Sequence, residues 1–122
     1  MKFSIATALV TILSVSTAAY ADGDAVAGKK VFNQCAVCHS PQPNKTIIGP
    51  SLFGVVGRHS ASLPGYSYSD AMKAADKTWD AATLDAYLTN PAKMVPGTKM
   101  TFAGLSKAED RANVIAYLET LK

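Results

Sequence analysis

The stretch "FNQCAVCHSP", residues 32–41, contains both cysteines of the chain, and His39 follows the second cysteine directly. Two residues separate Cys35 from Cys38, a spacing that suits a disulfide, a redox-active dithiol, a metal site or a covalently attached haem. A disulfide between them would close a very short loop and would contribute little to the stability of a fold. The choice among the other uses depends on what the rest of the chain supplies.

The N-terminal segment has the features of an export signal. Lys2 supplies a positive start, residues 5–15 are mostly apolar, and "AYA" at residues 19–21 offers a small-x-small cleavage site. The apolar run is shorter than the ~20 residues that a membrane span needs. The sequence therefore predicts a cleavable signal peptide over residues 1–21, a single domain over residues 22–122, and export to the periplasm.

The charge of the chain is only mildly basic. The formal net charge is +3 at pH 7, and loss of Lys2 with the signal lowers it by one. No block of like charges forms a tail. This balance does not predict a nucleic-acid partner.

Three segments have the apolar spacing of amphipathic helices. Each follows a residue that can cap a helix N-terminus: Asp24, Asp80 and Ser106, the last in a capping box "SKAE" with Glu109. Pro91 is expected to end the second helix. The residues that share a face are Gly28, Val31, Phe32 and Cys35 in the first helix, Leu84, Tyr87 and Leu88 in the second, and Val114, Tyr117, Leu118 and Leu121 in the third.

Long segments without any periodicity separate these helices. Residues 40–68 contain eight prolines and glycines, and a second irregular segment is expected over residues 91–104. No alternating strand pattern is visible. About 100 residues with few helices and so much loop are a poor prospect for a stable core. The loops therefore predict a large buried cofactor around which they fold.

The three remaining uses of "CAVCH" are not equally supported. A thioredoxin-like dithiol belongs in a βαβ unit, which this sequence does not predict. Structural zinc needs about four ligands, and beyond Cys35, Cys38 and His39 the only other histidine is His59, in a glycine-broken loop. Zinc stays open as the weaker alternative. Covalent haem uses this motif directly: the thiols add to porphyrin vinyl groups, and the histidine can reach the iron.

A second axial ligand would come from a small set of side chains, which are His59, Met72, Met94 and Met100. Met100 lies in "VPGTKMTFAG", residues 95–104, where Pro96 and Gly97 turn the chain. Since no helix would bury this methionine in an apolar stripe, we expect it to reach across the haem face.

The chain resembles the class I cytochromes c, the mitochondrial type and its exported bacterial relatives. The matching stretches are "CAVCH" (35–39), "GPSLFGVVGR" (49–58), "PGYSYSDA" (64–71), "TWD" (78–80), "YLTNP" (87–91), "PGTKMTFAG" (96–104) and "IAYL" (115–118). The resemblance implies a small all-α fold of about three main helices, with long loops around one haem c attached through Cys35 and Cys38. It also implies that the first helix crosses the last, with Gly28 and Phe32 against Tyr117.

The resemblance implies the iron ligands and their neighbours. His39 matches the proximal ligand and Met100 the sixth ligand. Pro50 matches the proline whose carbonyl accepts the other imidazole N–H, a bond that fixes the ring. Phe102 matches an aromatic side chain that shields the haem on the methionine side.

The resemblance also implies the polar contacts of the haem. Arg58, Tyr68 and Trp79 match residues that hydrogen-bond the propionates, because carboxylates drawn partly out of water need donors and a cation. Tyr87 and Thr98 match pocket residues beside the methionine ligand, where hydroxyl groups tune its sulfur.

The sequence departs from its relatives in two places. Met72 stands where many of them carry asparagine in the haem pocket. Gln34 and Ala92 stand where relatives often carry lysine around the exposed haem edge. The lysines that remain as docking charges are Lys45, Lys93, Lys99 and Lys107.

The function that the resemblance implies is one-electron transfer by a monomeric carrier rather than enzymatic catalysis. Its partners would be membrane redox complexes (a quinol-cytochrome c oxidoreductase, a terminal oxidase or a photosynthetic reaction centre) or periplasmic oxidoreductases, met in transient docking. The alternative is a haem peroxidase or a ligand sensor with a labile Met100.

Overall fold

Five helices and the long segments between them make up residues 23–122, the part of the chain that the computed structural model describes. The predicted signal peptide lies outside these residues. The helices are α1 (Ala25–Phe32), α2 (Asp70–Ala75), α3 (Ala81–Thr89), α4 (Pro91–Met94) and α5 (Ala108–Glu119). Within the described range no strand forms, apart from an isolated antiparallel bridge between His59 and Thr78. The predicted all-α class is confirmed. None of the five helices is long and apolar enough to span a bilayer.

Two of the three predicted N-caps are confirmed, and the third is wrong. Asp24 Oδ1 accepts hydrogen bonds from the amides of Val26 and Ala27, and Asp80 Oδ1 accepts one from Thr83. Ser106 does not cap α5. That helix begins at Ala108, and Lys107 at its N-cap position makes no side-chain cap bond.

Arg111 accounts for the missing capping box. Its guanidinium donates to the carbonyl oxygens of Leu105 and Ser106, at 2.8 and 3.2 Å, and to Asp85 Oδ1 at 2.8 Å. These bonds tie the segment before α5 to α3, and the helix begins one residue later than a cap at Ser106 predicts.

Helices α1 and α5 cross in direct contact, as the resemblance implies. A Cβ on Gly28 would overlap the backbone carbonyl of Asn113 in α5, so only glycine permits this approach. Beside it the rings of Phe32 and Tyr117 pack with centroids 5.1 Å apart. Asn113 also accepts the amide of Asp24 through its side chain, at 2.8 Å. The crossing is therefore fixed by backbone proximity, aromatic packing and a polar contact together.

Two short helices were not predicted. Ser69 caps α2 by accepting the amide of Met72 at 3.0 Å, and Asp76 ends it in a left-handed conformation at φ 49°. Pro91 ends α3 as predicted, yet it also starts α4, whose N-cap is Asn90. The expectation of an irregular segment over residues 91–104 is therefore wrong for its first turn, because proline is favourable at the first position of a helix.

The loop over residues 40–68 is organised by buried serine hydroxyls. Ser51 is 1% exposed and bonds the carbonyl of Gln42 and the amide of Phe53. Ser60 accepts the amide of Lys77 at 2.8 Å. Among the described residues no buried side-chain nitrogen or oxygen lacks a hydrogen-bond partner. The loops therefore satisfy their polar groups without forming regular structure.

Candidate haem site

A cavity of about 430 Å³ lies between the loops and the inner faces of α3 and α5. This volume is within the ~300–1,000 Å³ of typical cofactor sites. All of the predicted site residues line it: Cys35, Cys38, His39, Pro50, Arg58, Tyr68, Trp79, Tyr87, Thr98, Met100 and Phe102. Much of the remaining wall is aliphatic, supplied by Leu52, Val55, Leu84, Leu88, Val114 and Leu118.

The two thiols are presented by a continuation of α1. Beyond the helix, the amides of Cys35 and Ala36 bond the carbonyl of Phe32, and the carbonyl of Cys35 accepts the amides of Cys38 and His39. These turns place both cysteines at the cavity wall, and neither is in a disulfide.

The thiol chemistry argues against a redox-active dithiol. Burial, with a smaller contribution from Cys38, raises the pKa of Cys35 to about 11. The thiol is therefore neutral at pH 7, whereas reactive dithiols have a lowered pKa. The fold also lacks a βαβ unit in residues 23–122. The geometry fits thiols that serve as attachment points better than thiols that exchange disulfides.

The imidazole of His39 is held with one ring nitrogen available. Its Nδ1 lies 2.7 Å from the carbonyl oxygen of Pro50, which is the contact that the resemblance implies. Burial is the largest influence on the pKa of His39 and lowers it, and Arg58 lowers it further against the opposing Pro50 bond. The neutral ring therefore donates its Nδ1 proton to Pro50 and keeps a lone pair on Nε2.

Gly49 is a site residue that the sequence reasoning did not single out. A Cβ at this position would lie 2.5 Å from His39 Cε1 and 2.8 Å from Nδ1. The Gly49 amide also bonds the carbonyl of Cys38 at 2.7 Å. The imidazole therefore lies directly against Gly49, where any side chain would overlap the ring. The position of Gly49 directly before Pro50 was the available sequence signal, but the residue was considered only as one of the prolines and glycines that break the loop.

Met100 is held at the cavity by a turn and two hydroxyl groups. Its amide bonds Thr98 Oγ1 at 3.2 Å, and the preceding Gly97 has a positive φ of 89°. The hydroxyl of Tyr87 donates to Met100 Sδ at 3.7 Å. Burial raises the pKa of Tyr87, so this hydroxyl keeps its proton at neutral pH and stays a donor.

A polar corner of the cavity is formed by Arg58, Tyr68 and Trp79. The guanidinium of Arg58 donates to the carbonyl of Ser51 at 3.0 Å, and burial lowers its pKa without discharging it. The Tyr68 oxygen accepts the amide of Leu63 at 3.2 Å, which leaves its own proton free to donate. The Trp79 amide donates to the Arg58 carbonyl at 2.9 Å, and the Gly57 amide donates to the Trp79 carbonyl at 2.8 Å, so the two backbone segments lie side by side.

His59 lies at the cavity but faces other partners. Its Nε2 is 2.8 Å from Asp76 Oδ1, and its Nδ1 is 2.9 Å from the Ser60 carbonyl. Across residues 23–122 no three His, Cys, Asp or Glu side chains are arranged to hold a metal ion. The geometry thus does not join His59 to the cysteine motif in a zinc site.

The donor set fits a haem. The two thiols suit the two vinyl groups. The free His39 Nε2 and the Met100 thioether suit an iron, and the corner of Arg58, Tyr68 and Trp79 suits carboxylates. The aliphatic walls suit the porphyrin ring. No smaller group needs this combination together with so large a cavity.

Comparison with known proteins gives the family. The cytochrome c family model matches residues 25–122. A cytochrome c2 of Rhodomicrobium vannielii is 55% identical over 106 residues, which cover 86% of this chain and 85% of that protein. A cytochrome c2 of Rhodoblastus acidophilus is 52% identical over 101 residues, covering 82% and 94%.

Solved structures agree with the sequence comparison. Cytochrome cH from Methylobacterium extorquens has a TM-score of 0.76 and 46% identity, over 80% of this chain and 99% of that one. The chain belongs to the cytochrome c family, and its cofactor is one haem c attached covalently through Cys35 and Cys38.

Proposed function

We propose that the protein is a soluble, exported electron carrier that moves one electron at a time between redox partners. The observation that carries this proposal is that His39 and Met100 both line the same cavity, and that the Pro50 bond at Nδ1 leaves His39 Nε2 available to bind an iron. If His39 and Met100 both held the iron of a bound haem, the protein would supply both ligands and would leave no open site for a substrate. When bound, the haem supplies a ferrous–ferric couple. Relatives named cytochrome c2 support the same role.

Met100, together with the Tyr87 hydroxyl that binds it, would raise the reduction potential of a bound haem. Methionine as an axial ligand raises the reduction potential of haem iron. The Tyr87 hydroxyl withdraws electron density from Met100 Sδ, which weakens the thioether as a donor to ferric iron. The bond from His39 Nδ1 to Pro50 fixes the ring orientation and the tautomer. Because these groups are preorganised, little rearrangement is needed between the two redox states.

The polar corner binds the haem carboxylates in this proposal. Arg58 supplies a permanent charge, and Tyr68 and Trp79 supply neutral donors. Trp79 is 7% exposed, so its indole also contributes apolar packing against Tyr87, 4.8 Å away between ring centroids. Phe102 would cover the ring on the methionine side.

Exposed lysines provide the docking charge. Lys45, Lys93, Lys99 and Lys107 are all exposed, and Lys99 lies at the cavity wall. Few and dispersed charges of this kind favour brief, salt-sensitive encounters with acidic surfaces. We propose as partners a quinol-cytochrome c oxidoreductase, a terminal oxidase or a photosynthetic reaction centre, or periplasmic oxidoreductases. The predicted signal peptide over residues 1–21 would direct the domain over residues 22–122 to the periplasm.

Substitution of Met100 tests the proposal. The haem-loaded Met100→Ala protein should have a lower reduction potential and should bind exogenous imidazole or azide, because one axial position opens. Met94→Leu is the matched control, since Met94 is partly buried but does not line the cavity. Unchanged potential and unchanged ligand binding in Met100→Ala would overturn the assignment. A high-spin ferric spectrum in the unaltered protein would favour a peroxidase or a ligand sensor instead.

A further inference from the structure

A second methionine, Met72, lines the same cavity as Met100. Met72 is the third residue of α2, and its amide donates to Ser69 Oγ at 3.0 Å. Its side chain is half-buried, packs against the core and belongs to the cavity wall. The capped helix start fixes the backbone from which this side chain projects. A role in sulfur ligation is already assigned to Met100, so Met72 needs a separate explanation.

Met72 and Met100 lie on neighbouring parts of one wall. A Cβ on Gly97, in the turn before Met100, would lie 3.4 Å from the Cβ of Ala71. Lys99 Nζ donates to the carbonyl of Ser67 at 3.0 Å. The loop that carries Met100 is thus packed on the segment that carries Met72. Both thioethers therefore face the cavity from the same packed unit.

The two hydroxyl groups nearest Met100 in the hydrogen-bond network, those of Tyr87 and Thr98, already bind Met100. The Tyr87 hydroxyl donates to Met100 Sδ, and Thr98 Oγ1 accepts the amide of Met100. A thioether is only a weak acceptor and donates nothing. A bound water requires two to four polar partners, so an apolar side chain at residue 72 gives water little to bind beside Met100.

We propose that Met72 is a positioning residue that protects the bond between Met100 and the iron. Its thioether fills the wall next to Met100 and keeps water and small ligands from competing for the sixth position. This inference rests on the proposed function, because it takes Met100 as the sixth ligand. It assigns Met72 no bond to the iron.

A polar or smaller side chain at residue 72 would weaken this protection in two ways. An amide brings donors and acceptors that stabilise water beside Met100, and a shorter side chain leaves room for it. Leucine has a similar volume and no polar atom, so it should preserve the wall. The pattern of the three substitutions therefore separates polarity and space from mere loss of the thioether.

The experiment titrates imidazole into the haem-loaded ferric protein and follows the absorption band that reports sulfur ligation. Met72→Asn should bind imidazole about tenfold more tightly than the unaltered protein, or more, and Met72→Leu within about twofold of it. Met72→Ala should fall between them, and it also serves as the second variant if Met72→Asn does not fold. The control is Leu121→Asn, an apolar-to-amide change at a core-packed residue outside the cavity.

The outcomes separate this inference from the proposed function. A sulfur band in the unaltered protein with an equal imidazole affinity in all Met72 variants would overturn the inference and leave the proposed function intact. An equal rise in Leu121→Asn and Met72→Asn would also overturn it, because loss of global stability would then explain both. Absence of the band in the unaltered protein would overturn the proposed function itself.

Discussion

The helix crossing and the loops around the cavity are held together in different ways. Where α1 meets α5, Gly28 lies against the backbone of Asn113 and Phe32 packs on Tyr117, so side chains of the chain fill the space themselves. The loops over residues 40–68 and 95–104 rely on turns, buried serines and backbone bonds. Several of their apolar side chains, among them Leu52, Val55 and Phe102, line a cavity of about 430 Å³.

This difference shows where the chain depends on its cofactor. The crossing buries its apolar surface within the protein, which is the main driving force of folding. The loop half buries its apolar lining fully only when the haem is present, so the binding free energy of the haem becomes folding free energy there. We therefore expect the loops around the cavity to be the least stable part of the chain without haem.

Loss of haem attachment should have the largest effect. In the protein with Cys35→Ser and Cys38→Ser, we expect loss of amide protection across residues 40–68 and 95–104, because the loops lose the surface on which they pack. The crossing of α1 and α5 should keep more of its protection than the loops do. Hydrogen exchange followed by mass spectrometry, with the haem-loaded protein as reference, measures both regions at once. Loops that are as protected in the double variant as in the haem-loaded protein would contradict the claim that the loops depend on the haem more than the helix crossing does.

A substitution at the crossing should have the next largest effect. Alanine normally stabilises a helix by about 1 kcal/mol relative to glycine. In Gly28→Ala the new methyl group would overlap the Asn113 carbonyl, so we expect a net loss of about 1–3 kcal/mol in the free energy of unfolding.

Denaturant unfolding of the haem-loaded protein gives the measurement. Val26→Ala is the control in the same helix, because Val26 is 75% exposed and its truncation should change stability by less than about 0.5 kcal/mol. A Gly28→Ala protein as stable as the original would mean that the two helices do not touch at this point.

The hydroxyl at the cavity should have a smaller, electrochemical effect. Tyr87→Phe removes the donor to Met100 Sδ, so the sulfur becomes a better donor to ferric iron and the reduction potential falls. A hydrogen bond worth about 0.5–1.5 kcal/mol corresponds to about 20–60 mV for a one-electron couple. Spectroelectrochemical titration measures it. Tyr117→Phe at the crossing is the matched control and should leave the potential unchanged; equal shifts in both variants would refute the role of Tyr87.

The smallest predicted effect concerns the cap of α3 in acid. The amide of Thr83, which donates to Asp80, lowers the pKa of this carboxyl below its ordinary value of 3.8. A carboxyl with a lowered pKa contributes stability above that ordinary value, and the contribution is lost as the pH falls through the folded-state pKa. Asp80→Asn keeps an acceptor but carries no charge.

The stability difference between the original protein and Asp80→Asn should therefore shrink as the pH falls below about 3.8. Thermal unfolding at a series of pH values measures it. A difference that stays constant from neutral pH to below pH 3.8 would show that the charge of Asp80 does not contribute to the cap.

The predictable parts of the fold were those set by local chemistry. Asp24 and Asp80 cap helices because a short acidic side chain reaches the free amides of the first turn, a rule that needs only the sequence. The capping box at Ser106 failed because Arg111 binds the carbonyls of Leu105 and Ser106 and is itself held by Asp85, which is 26 residues away in the sequence. Helix α2 was missed because six residues without a buried side chain carry no periodic signal.

The ligand and attachment residues of the site could be predicted from their residue types. The contacts that depend on the folded chain could not. Two cysteines, a histidine and a loop methionine have distinctive chemistry, so their residue types and the family resemblance together were enough to choose them. The close contact of Gly49 with the His39 ring arises only when residues ten apart fold onto each other. The packing of Gly97 on Ala71, which brings the loop of Met100 to the helix of Met72, is likewise a contact between residues distant in the sequence.

The ligation of the iron by Met100 is the point on which the account depends, and the absorption spectrum of the purified ferric holoprotein tests it most directly. The account predicts a low-spin spectrum with the weak band of a sulfur-to-iron bond in the unaltered protein, and loss of that band in Met100→Ala. A band that persists in Met100→Ala, or that is missing from the unaltered protein, would contradict it.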